Sequence, residues 1–336
     1  MGETVLVTGG AGFIGSHVCK ALDRAGHRPV VIDDLSNGHR SAVRWGPLVV
    51  ADLADGEALR AVFRHHAPTA VIHLAGYIAA GESVSDPGKY YGNNLRATLT
   101  LLEVMSEMSV LRTVFSSTAA VYGDPDSTPI GETAGLHPVN PYGHTKLMSE
   151  QILGDYAAHG ICSVSLRYFN AAGADPDGEL GEMHEPETHL IPLVLEVAAG
   201  LRPHINVFGT DYPTPDGTCI RDYIHVSDLA NAHVLALADL NGDPGATAYN
   251  LGNGRGFSVF EVIAAAETVT GCRVARRHCD RRPGDPPILV ADASRARREL
   301  GWRQAYGGLE TQIGHAWSWF QQGAAAVPRR SALATN

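Results

Sequence analysis

The stretch Val5-Leu6-Val7-Thr8-Gly9-Gly10-Ala11-Gly12-Phe13-Ile14-Gly15 decides the fold of this chain. It reads as a short apolar strand, a turn with glycine at every third position, and a helix that begins near Ser16. Gly9 allows the tight turn, Gly12 lets backbone amides approach a pyrophosphate, and Gly15 lets the helix pack closely against the strand with its positive end toward the anion. The stretch therefore predicts a dinucleotide-binding turn, and its strand-to-helix context argues against a chance glycine turn.

An acidic residue ends the second predicted strand, Val30-Val31-Ile32-Asp33. A carboxylate at this place can accept hydrogen bonds from both hydroxyls of an adenosine ribose, and it repels a 2'-phosphate. The pattern favours NAD over NADP. The alternative is that Asp33 only caps a helix.

Short β-branched runs alternate with segments of helical period through the first half of the chain. We predict strands at residues 4–8, 30–33, 48–52, 70–75, 113–117 and 164–170, and helices at residues 16–25, 95–108 and 142–159. Strands that alternate with helices in this way predict an α/β fold with a doubly wound parallel sheet, the Rossmann fold.

After residue 173 the sequence changes to connections rich in Pro and Gly, with short helices predicted at residues 191–199, 259–268 and 294–300. We expect an NAD-binding domain at residues 1–172 and a second, smaller α/β lobe for the substrate at residues 173–323. Residues 222–240 are again apolar and helical in pattern, so we expect residues 222–251 to return to the first domain. Residues 324–336 resemble a disordered tail.

Composition limits the class of protein. The 336 residues are 44% apolar and 18% charged, and no apolar run approaches the roughly 20 residues that span a bilayer. The start of the chain carries no secretory pattern, and five scattered cysteines form no CxxC pair, so we expect a cytoplasmic protein with reduced thiols and no membrane partner. A net charge of -10 disfavours nucleic-acid binding. The sixteen histidines form no HExxH or clustered Cys/His spacing, so we expect no metal.

A candidate general base lies in Asn140-Pro141-Tyr142-Gly143-His144-Thr145-Lys146. Pro141 suits the first turn of a helix, and residues four apart share a helix face, so Tyr142 and Lys146 should lie together. A neighbouring ammonium and a nicotinamide charge lower the pKa of a phenol from its usual value near 10, which makes tyrosine a usable base. Many helices carry Tyr-x-x-x-Lys by accident.

The strand end Val114-Phe115-Ser116-Ser117-Thr118 makes this pattern more specific, because it delivers a hydroxyl to the carboxyl edge of the sheet, where open α/β folds bind ligands. Thr118 can bond the substrate oxygen that loses its proton. The alternative for this hydroxyl is ordinary capping of the strand end.

Over nearly its full length, the chain resembles the extended short-chain dehydrogenase/reductase family, and within it the UDP-glucose 4-epimerases. Beyond the glycine turn, the markers are Gly81-Glu82-Ser83-Val84, Tyr90-Tyr91-Gly92-Asn93-Asn94, Leu166-Arg167-Tyr168-Phe169-Asn170, Thr210-Asp211-Tyr212-Pro213-Thr214, Arg221-Asp222-Tyr223-Ile224-His225-Val226 and Ala291-Asp292-Ala293-Ser294.

The resemblance implies two sets of binding residues. Residues that should contact NAD are Gly9, Gly12, Phe13, Ile14, Gly15, Asp33, Asp34, Leu35, Ser36, Asn37, Gly38, Asp52, Leu53, Leu74, Ala75, Gly76, Ile78, Asn93, Ser116, Tyr142, Lys146 and Phe169. Residues that should contact the UDP-sugar are Thr118, Tyr142, Asn170, His189, Leu190, Asn206, Val207, Phe208, Arg221, Arg282, Asp285 and Leu289. In the second set, the two arginines would neutralise the diphosphate.

The implied activity is an NAD-dependent epimerase that interconverts UDP-glucose and UDP-galactose at C4 through a 4-keto sugar, with Thr118, Tyr142 and Lys146 as catalytic residues. The alternatives are a sugar-nucleotide 4,6-dehydratase, an epimerase of a UDP-uronate or UDP-pentose, and a non-catalytic NAD-sensing scaffold. By the same resemblance, dehydratases of this superfamily carry Thr-Asp-Glu at the strand end where this chain has Thr118-Ala119-Ala120. The absence of an acidic pair here disfavours elimination of water.

The chain departs from the family at His189, where Asn is frequent, and at Ile78, where Lys is frequent. Leu289 stands where glucose-restricted members can carry Tyr, and its intermediate size implies at least partial acceptance of UDP-N-acetyl sugars. By the same resemblance, the helices at residues 95–108 and 147–156 should pair across a homodimer.

Overall fold

Thirteen strands are present in the computed structural model, which describes residues 2–282 and 284–326. They are β1 (Thr4–Thr8), β2 (Arg28–Asp33), β3 (Leu48–Val50), β4 (Ala70–His73), β5 (Arg112–Thr118), β6 (Cys162–Tyr168), β7 (Asn170–Ala172), β8 (Ile205–Phe208), β9 (Ile220–His225), β10 (Gly245–Leu251), β11 (Gly256–Ser258), β12 (Arg276–Cys279) and β13 (Ile288–Leu289).

Eleven α-helices connect these strands within the described residues. They are α1 (Phe13–Arg24), α2 (Gly56–His66), α3 (Ala80–Ser85), α4 (Pro87–Tyr90), α5 (Arg96–Glu107), α6 (Pro141–Asp155), α7 (Leu190–Ala198), α8 (Val226–Asp239), α9 (Val259–Thr270), α10 (Ser294–Glu299) and α11 (Leu309–Ala326). A π-helical segment, Tyr91–Leu95, precedes α5, and 3-10 turns form at Arg40–Ala42, Ala119–Val121 and Tyr156–His159.

The larger sheet has seven strands in the order β10-β6-β5-β4-β1-β2-β3, and all of its neighbours are parallel. Alternate residues of a strand point to opposite faces, so β1 sends Val5 and Val7 into one apolar cluster with α1 and α8, and Leu6 into another with α2 and α5. Helices on both faces of a parallel sheet confirm the predicted doubly wound fold.

Two small sheets form the second lobe. One has the order β11-β9-β13 with β7 paired to β9, and the other pairs β12 with β8. Helices α7, α9 and α11 pack on them around Val194, Val262 and Ile313. The lobe thus has its own apolar core.

The chain returns to the larger sheet from its second half. Helix α8 packs against α1, and β10 pairs with β6 as an edge strand. Ala293, Ala296 and Trp302 also lie in the core of the larger domain, although the sequence analysis assigned them to the smaller lobe.

Three predicted strands end earlier than expected, at Val50, His73 and Tyr168. Local hydrogen bonds explain two of these ends. The Asp52 carboxylate accepts the amide of Ala54 at 2.8 Å, and the Thr8 hydroxyl accepts the amide of Ala75 at 3.2 Å. Both bonds bend the chain into loops at the carboxyl edge of the sheet.

The helix predicted to cover residues 222–240 begins only at Val226, which corrects that prediction. Residues 222–225 belong to β9, and the His225 side chain accepts the amide of Ser227 at 3.0 Å, which caps α8. Of the predicted tail, residues 324–326 form the end of α11, and residues 327–336 lie outside the described residues. No helix in the described ranges combines the length and apolarity that a bilayer span requires.

Candidate active site

The glycine turn joins β1 to α1 at the carboxyl edge of the larger sheet. Gly9 has a φ of +70°, which glycine adopts without strain, and a Cβ on Gly15 would clash with the carbonyl oxygen of Gly9. Helix α1 has Gly12 at its N-cap and no side-chain cap, so the amides of its first turn are directed at whatever anion binds there.

Asp33 ends β2 beside this turn. Its two carboxylate oxygens accept the amides of Ala11 at 3.0 Å and Leu35 at 2.9 Å. Burial raises the pKa of Asp33, and these two bonds act in the opposite direction. A Cβ on Gly38 would lie 2.7 Å from a carboxylate oxygen of Asp33, so glycine there keeps the loop close to the carboxylate. The remaining lone pairs of Asp33 suit ribose hydroxyls.

Asn94 holds the loop that follows β4, and the sequence analysis assigned it no role. Its side chain accepts the amide of Tyr77 at 2.8 Å, donates to the Tyr77 carbonyl at 3.1 Å and donates to the Thr145 hydroxyl at 3.2 Å. Asn94 therefore ties the loop of residues 74–78 to helix α6. Asn94 is only 4% exposed and lies in the π-helical segment Tyr91–Leu95, which the sequence analysis noted only as a family marker.

Helix α6 presents the candidate base. Asn140 caps it by accepting the amide of Gly143 at 2.8 Å, and Pro141 occupies the first turn. The amide of Tyr142 donates to the buried Ser83 hydroxyl at 3.1 Å, a contact that sequence reasoning did not anticipate. These bonds fix where the helix begins and hence where the Tyr142 ring lies.

Lys146 is buried one turn further along α6, with 2% of its surface exposed. Its ammonium donates to the carbonyl of Ser116 at 2.8 Å and lies 4.9 Å from the ring centre of Phe115. Burial lowers the pKa of Lys146 to about 8, while the Glu150 carboxylate acts in the opposite direction. The chain thus holds an amine against the strand that carries Thr118.

Tyr142 and Thr118 meet across α6 and the end of β5. Burial raises the pKa of Tyr142, and side-chain hydrogen bonding with Thr118 offsets part of this effect. The Thr118 hydroxyl also accepts the amide of Ala120 at 3.1 Å, so both capping and contact with the phenol apply. Together these surroundings leave the pKa of the phenol raised.

A buried ion pair between Glu150 and Arg167 lies next to Lys146. Glu150 lies one turn after Lys146, accepts from Arg167 of β6 at 2.9 and 2.5 Å, and also accepts from Ser117 of β5. Arg167 donates onward to the Tyr122 hydroxyl at 3.0 Å. Sequence reasoning assigned no role to this pair, since its members lie on different elements and only the fold brings them together.

The residues expected to hold UDP lie mainly on the two small sheets. Arg221 of β9 forms an ion pair with Asp285, and the Arg282 guanidinium lies 4.1 Å from the ring centre of Phe208 in β8. The side-chain oxygen of Asn206 is buried without a hydrogen-bond partner among the described residues. These groups offer an aromatic face, two cations and an amide to a nucleotide diphosphate.

The other expected residues have varied surroundings. Leu289 packs with Phe169 against Tyr122, close to the carboxyl end of β5, while Asn170 and Ile78 are exposed. Leu190 packs into the core of the smaller lobe. The His189 ring hydrogen-bonds Glu182, so its side chain is engaged within the chain.

The fold and this constellation define a dinucleotide-binding α/β enzyme of the short-chain dehydrogenase/reductase type: the uncapped α1, the carboxylate of Asp33 and the Thr118, Tyr142 and Lys146 group all fit bound NAD. The family model described as "NAD dependent epimerase/dehydratase family" matches residues 5–252. The chain belongs to this family.

Proteins of known identity agree over nearly the whole chain. A UDP-glucose 4-epimerase of Azospirillum brasilense is 54% identical over 317 residues, which cover 94% of this chain and 91% of that protein. The crystal structure of UDP-glucose 4-epimerase from Brucella ovis in complex with NAD has 51% identity and a TM-score of 0.92, and covers 95% of this chain and 98% of that one.

A second crystal structure, of a UDP-glucose 4-epimerase from Stenotrophomonas maltophila with bound NAD and formylated UDP-arabinopyranose, has 43% identity and a TM-score of 0.93. It covers 97% of this chain and 100% of that one. The resemblance drawn from the sequence markers is confirmed.

Proposed function

We propose that this chain is a UDP-glucose 4-epimerase, an isomerase that interconverts UDP-glucose and UDP-galactose at C4 with tightly bound NAD. The observation that carries the proposal is that Tyr142 hydrogen-bonds Thr118 at the end of β5, while Lys146 of the same helix is buried against the carbonyl of Ser116. The identity of about half the residues to UDP-glucose 4-epimerases over nearly the full chain supports it.

NAD, held by the glycine turn and Asp33, would supply the group that accepts a hydride from C4 and donates one to the 4-keto sugar. Tyr142 takes the proton of the 4-hydroxyl as the hydride leaves, and returns it when the hydride comes back. Thr118 bonds the same oxygen and holds it toward the phenol. Lys146, fixed by the Ser116 carbonyl, keeps a positive charge near the phenolate.

The UDP must stay anchored while the keto sugar turns over. We assign this role to Arg221, Arg282, Phe208 and Asn206, because their side chains provide charge, stacking and a buried acceptor on the small sheets. The anchored diphosphate then lets the sugar present either face to the nicotinamide without dissociation.

Dehydration is the main competing reaction, since it also begins with oxidation at C4. Thr118 is followed here by the 3-10 turn Ala119–Val121, and neither Ala119 nor Ala120 carries a group that transfers a proton. Elimination of water needs such a group at this place. An epimerase of a UDP-uronate or a UDP-pentose would use the same catalytic residues. Comparing the rates with UDP-galactose, a UDP-uronate and a UDP-pentose identifies the preferred sugar.

We also propose a homodimer that pairs through α5 and α6, and a cytoplasmic location. Exposed apolar side chains on these helices, Leu99 at 39% and Met148 at 38% exposure, support the pairing. All five cysteines are free thiols, which suits a reducing compartment.

The test is to denature the purified protein, identify the released nucleotide, and assay the native protein with UDP-galactose and no added NAD. We expect NAD in the supernatant and UDP-glucose as product. Tyr142→Phe should lower kcat by at least about 100-fold while NAD remains bound, because only the transferable proton is removed.

Tyr156→Phe is the matched control, since this tyrosine lies in the 3-10 turn after the same helix, where its ring packs against His159. It should keep normal turnover. An unchanged rate in Tyr142→Phe would refute the assignment of Tyr142 as the base. A 4-keto-6-deoxy sugar as product would show that the enzyme is a dehydratase and not an epimerase.

A further inference from the structure

Two histidines and two glutamates converge in the segment between β7 and α7. The Nδ1 atoms of His184 and His189 and one carboxylate oxygen each of Glu182 and Glu187 all lie within 4.8 Å of one another. The spacing Glu-x-His-x-x-Glu-x-His is none of the metal signatures considered in the sequence analysis, so only the fold reveals the cluster.

The distances within the cluster suit one small cation. His184 Nδ1 lies 3.0 Å from Glu182 Oε1 and 3.9 Å from Glu187 Oε1, and His189 Nδ1 lies 3.9 Å from Glu187 Oε1. Ligand atoms at the corners of a tetrahedron around zinc are about 3.4 Å apart, given metal-ligand distances near 2.0–2.2 Å. The observed spacings lie on both sides of that value.

The charges of the cluster also call for a cation. The side chains of Glu182 and Glu187 are only 8% and 9% exposed, and within the described ranges their ion-pair partners are the two histidines alone. Two shielded carboxylates this close repel each other strongly unless a positive charge lies between them.

A second group of acidic residues in the same chain shows the contrast. Asp175, Asp177 and Glu179 each lie 2.6 to 2.8 Å from the ammonium of Lys20, and Arg24 and Arg44 add two further cations. That group already has its counter-charges. The cluster of Glu182, His184, Glu187 and His189 has no lysine or arginine among its ion-pair partners in the described residues, and only the two imidazoles face its carboxylates.

We propose that Glu182, His184, Glu187 and His189 form a structural zinc site with two nitrogen and two oxygen ligands. Four protein ligands leave no open position on a tetrahedral ion, which distinguishes structural from catalytic zinc. The ion takes the place of the proton shared by His189 and Glu182, and each imidazole keeps its remaining proton on Nε2.

The ion fixes a segment that borders the dinucleotide turn. The Met183 carbonyl contacts His39 Nε2 at 2.6 Å, and the His184 ring meets the Phe13 ring edge-on with 6.5 Å between centres. The Trp319 indole donates to the Glu182 carbonyl at 3.3 Å. The zinc site thus holds the start of α7 against the first turn of α1, and His189 serves the ion with its side chain.

The test measures zinc directly and needs no activity. The full-length protein is stripped with a chelator, incubated with zinc sulfate, passed through a gel-filtration column and analysed by mass spectrometry of the metal. We expect about one zinc ion per chain, and an X-ray absorption spectrum with only nitrogen and oxygen ligands at about 2.0–2.1 Å.

Glu182→Gln combined with His184→Ala should lower the zinc retained by at least about tenfold. Glu179→Gln, in the neutralised acidic group, should retain as much zinc as the unchanged protein. The single variant His184→Ala and the absorption spectrum keep the test decisive if the double variant does not fold. The proposal would be overturned if the protein retained no zinc, if the absorption spectrum showed sulfur ligands, or if His184→Ala retained as much zinc as the unchanged protein. None of these results would bear on the proposed epimerase activity.

Discussion

Replacing Lys146 with methionine should make the protein more stable at neutral pH and nearly inactive. The pKa of Lys146 is lowered from the usual 10.5 to about 8 by burial, and each pKa unit corresponds to about 1.4 kcal/mol, so keeping the amine charged costs about 3 kcal/mol. Methionine is uncharged and of similar length. It loses the hydrogen bond to the Ser116 carbonyl, worth about 1 kcal/mol, so we expect a net gain of about 2 kcal/mol at pH 7.

The dependence on pH has a definite sign. Between about pH 8 and 10.5 the folded chain has released the proton of Lys146 while the unfolded chain still binds it, so the stability of the unchanged protein rises with pH in this window. The Lys146→Met variant lacks this rise. Its advantage should therefore shrink from about 2 kcal/mol at pH 7 to near zero at about pH 9.5.

Urea unfolding at pH 7 and pH 9.5 measures both values. The nucleotide content of both proteins is determined first, because bound NAD itself stabilises the folded state. Lys89→Met is the control: the pKa of Lys89 is raised by Glu82, so its removal should bring no gain that narrows with pH. This account of the buried amine would be refuted if Lys146→Met were less stable than the unchanged protein at pH 7. It would also be refuted if the difference in their free energies of unfolding did not decrease between pH 7 and pH 9.5.

Three further outcomes are expected. Glu150→Gln should cost about 3–5 kcal/mol in urea unfolding, because it leaves the buried charge of Arg167 without its partner, whereas Glu107→Gln in an exposed ion pair should cost about 0–1 kcal/mol; equal losses would contradict this. UDP-N-acetylglucosamine should be turned over, and Leu289→Tyr should lower its kcat/KM by at least about tenfold relative to UDP-glucose, which a competition assay measures. Gly15→Ala should lower the NAD released per chain by at least about tenfold, since its Cβ would clash in the turn, and full NAD content would exclude that role.

Local patterns predicted the first half of the fold well. Strand β1 has the predicted bounds, and the other five predicted strands are present with ends that differ by a few residues. The ends differ where side chains such as those of Asp52 and Thr8 capture a nearby amide, which hydrophobic period does not register.

The second half was harder to predict because its pairings are distant in sequence. Gly245 of β10 pairs with Cys162 of β6, 83 positions earlier in the chain, and β7, α7, β8, β9 and α8 lie between the two strands.

 The order of strands in a sheet depends on packing between elements that are far apart in the sequence. Local hydrophobic periodicity does not predict this order.

The candidate site likewise contains residues that local motifs predict and residues that only the fold brings together. Thr118, Tyr142 and Lys146 follow motifs of short range, and their placement relative to the glycine turn could be predicted from the sheet edge alone. Glu150 and Arg167 could not, because a glutamate on a helix and an arginine on a strand reveal their pairing only when the two elements are packed.

The edge strand β10 and the buried Trp302 have a consequence for biosynthesis. Until β10 has left the ribosome, the nascent polypeptide exposes the unpaired edge of β6. Until Trp302 has followed, the apolar core residues of α1 also lack part of their packing. An unpaired strand edge invites association between chains, so truncation at residue 172 should give an insoluble product rather than a free-standing nucleotide-binding unit.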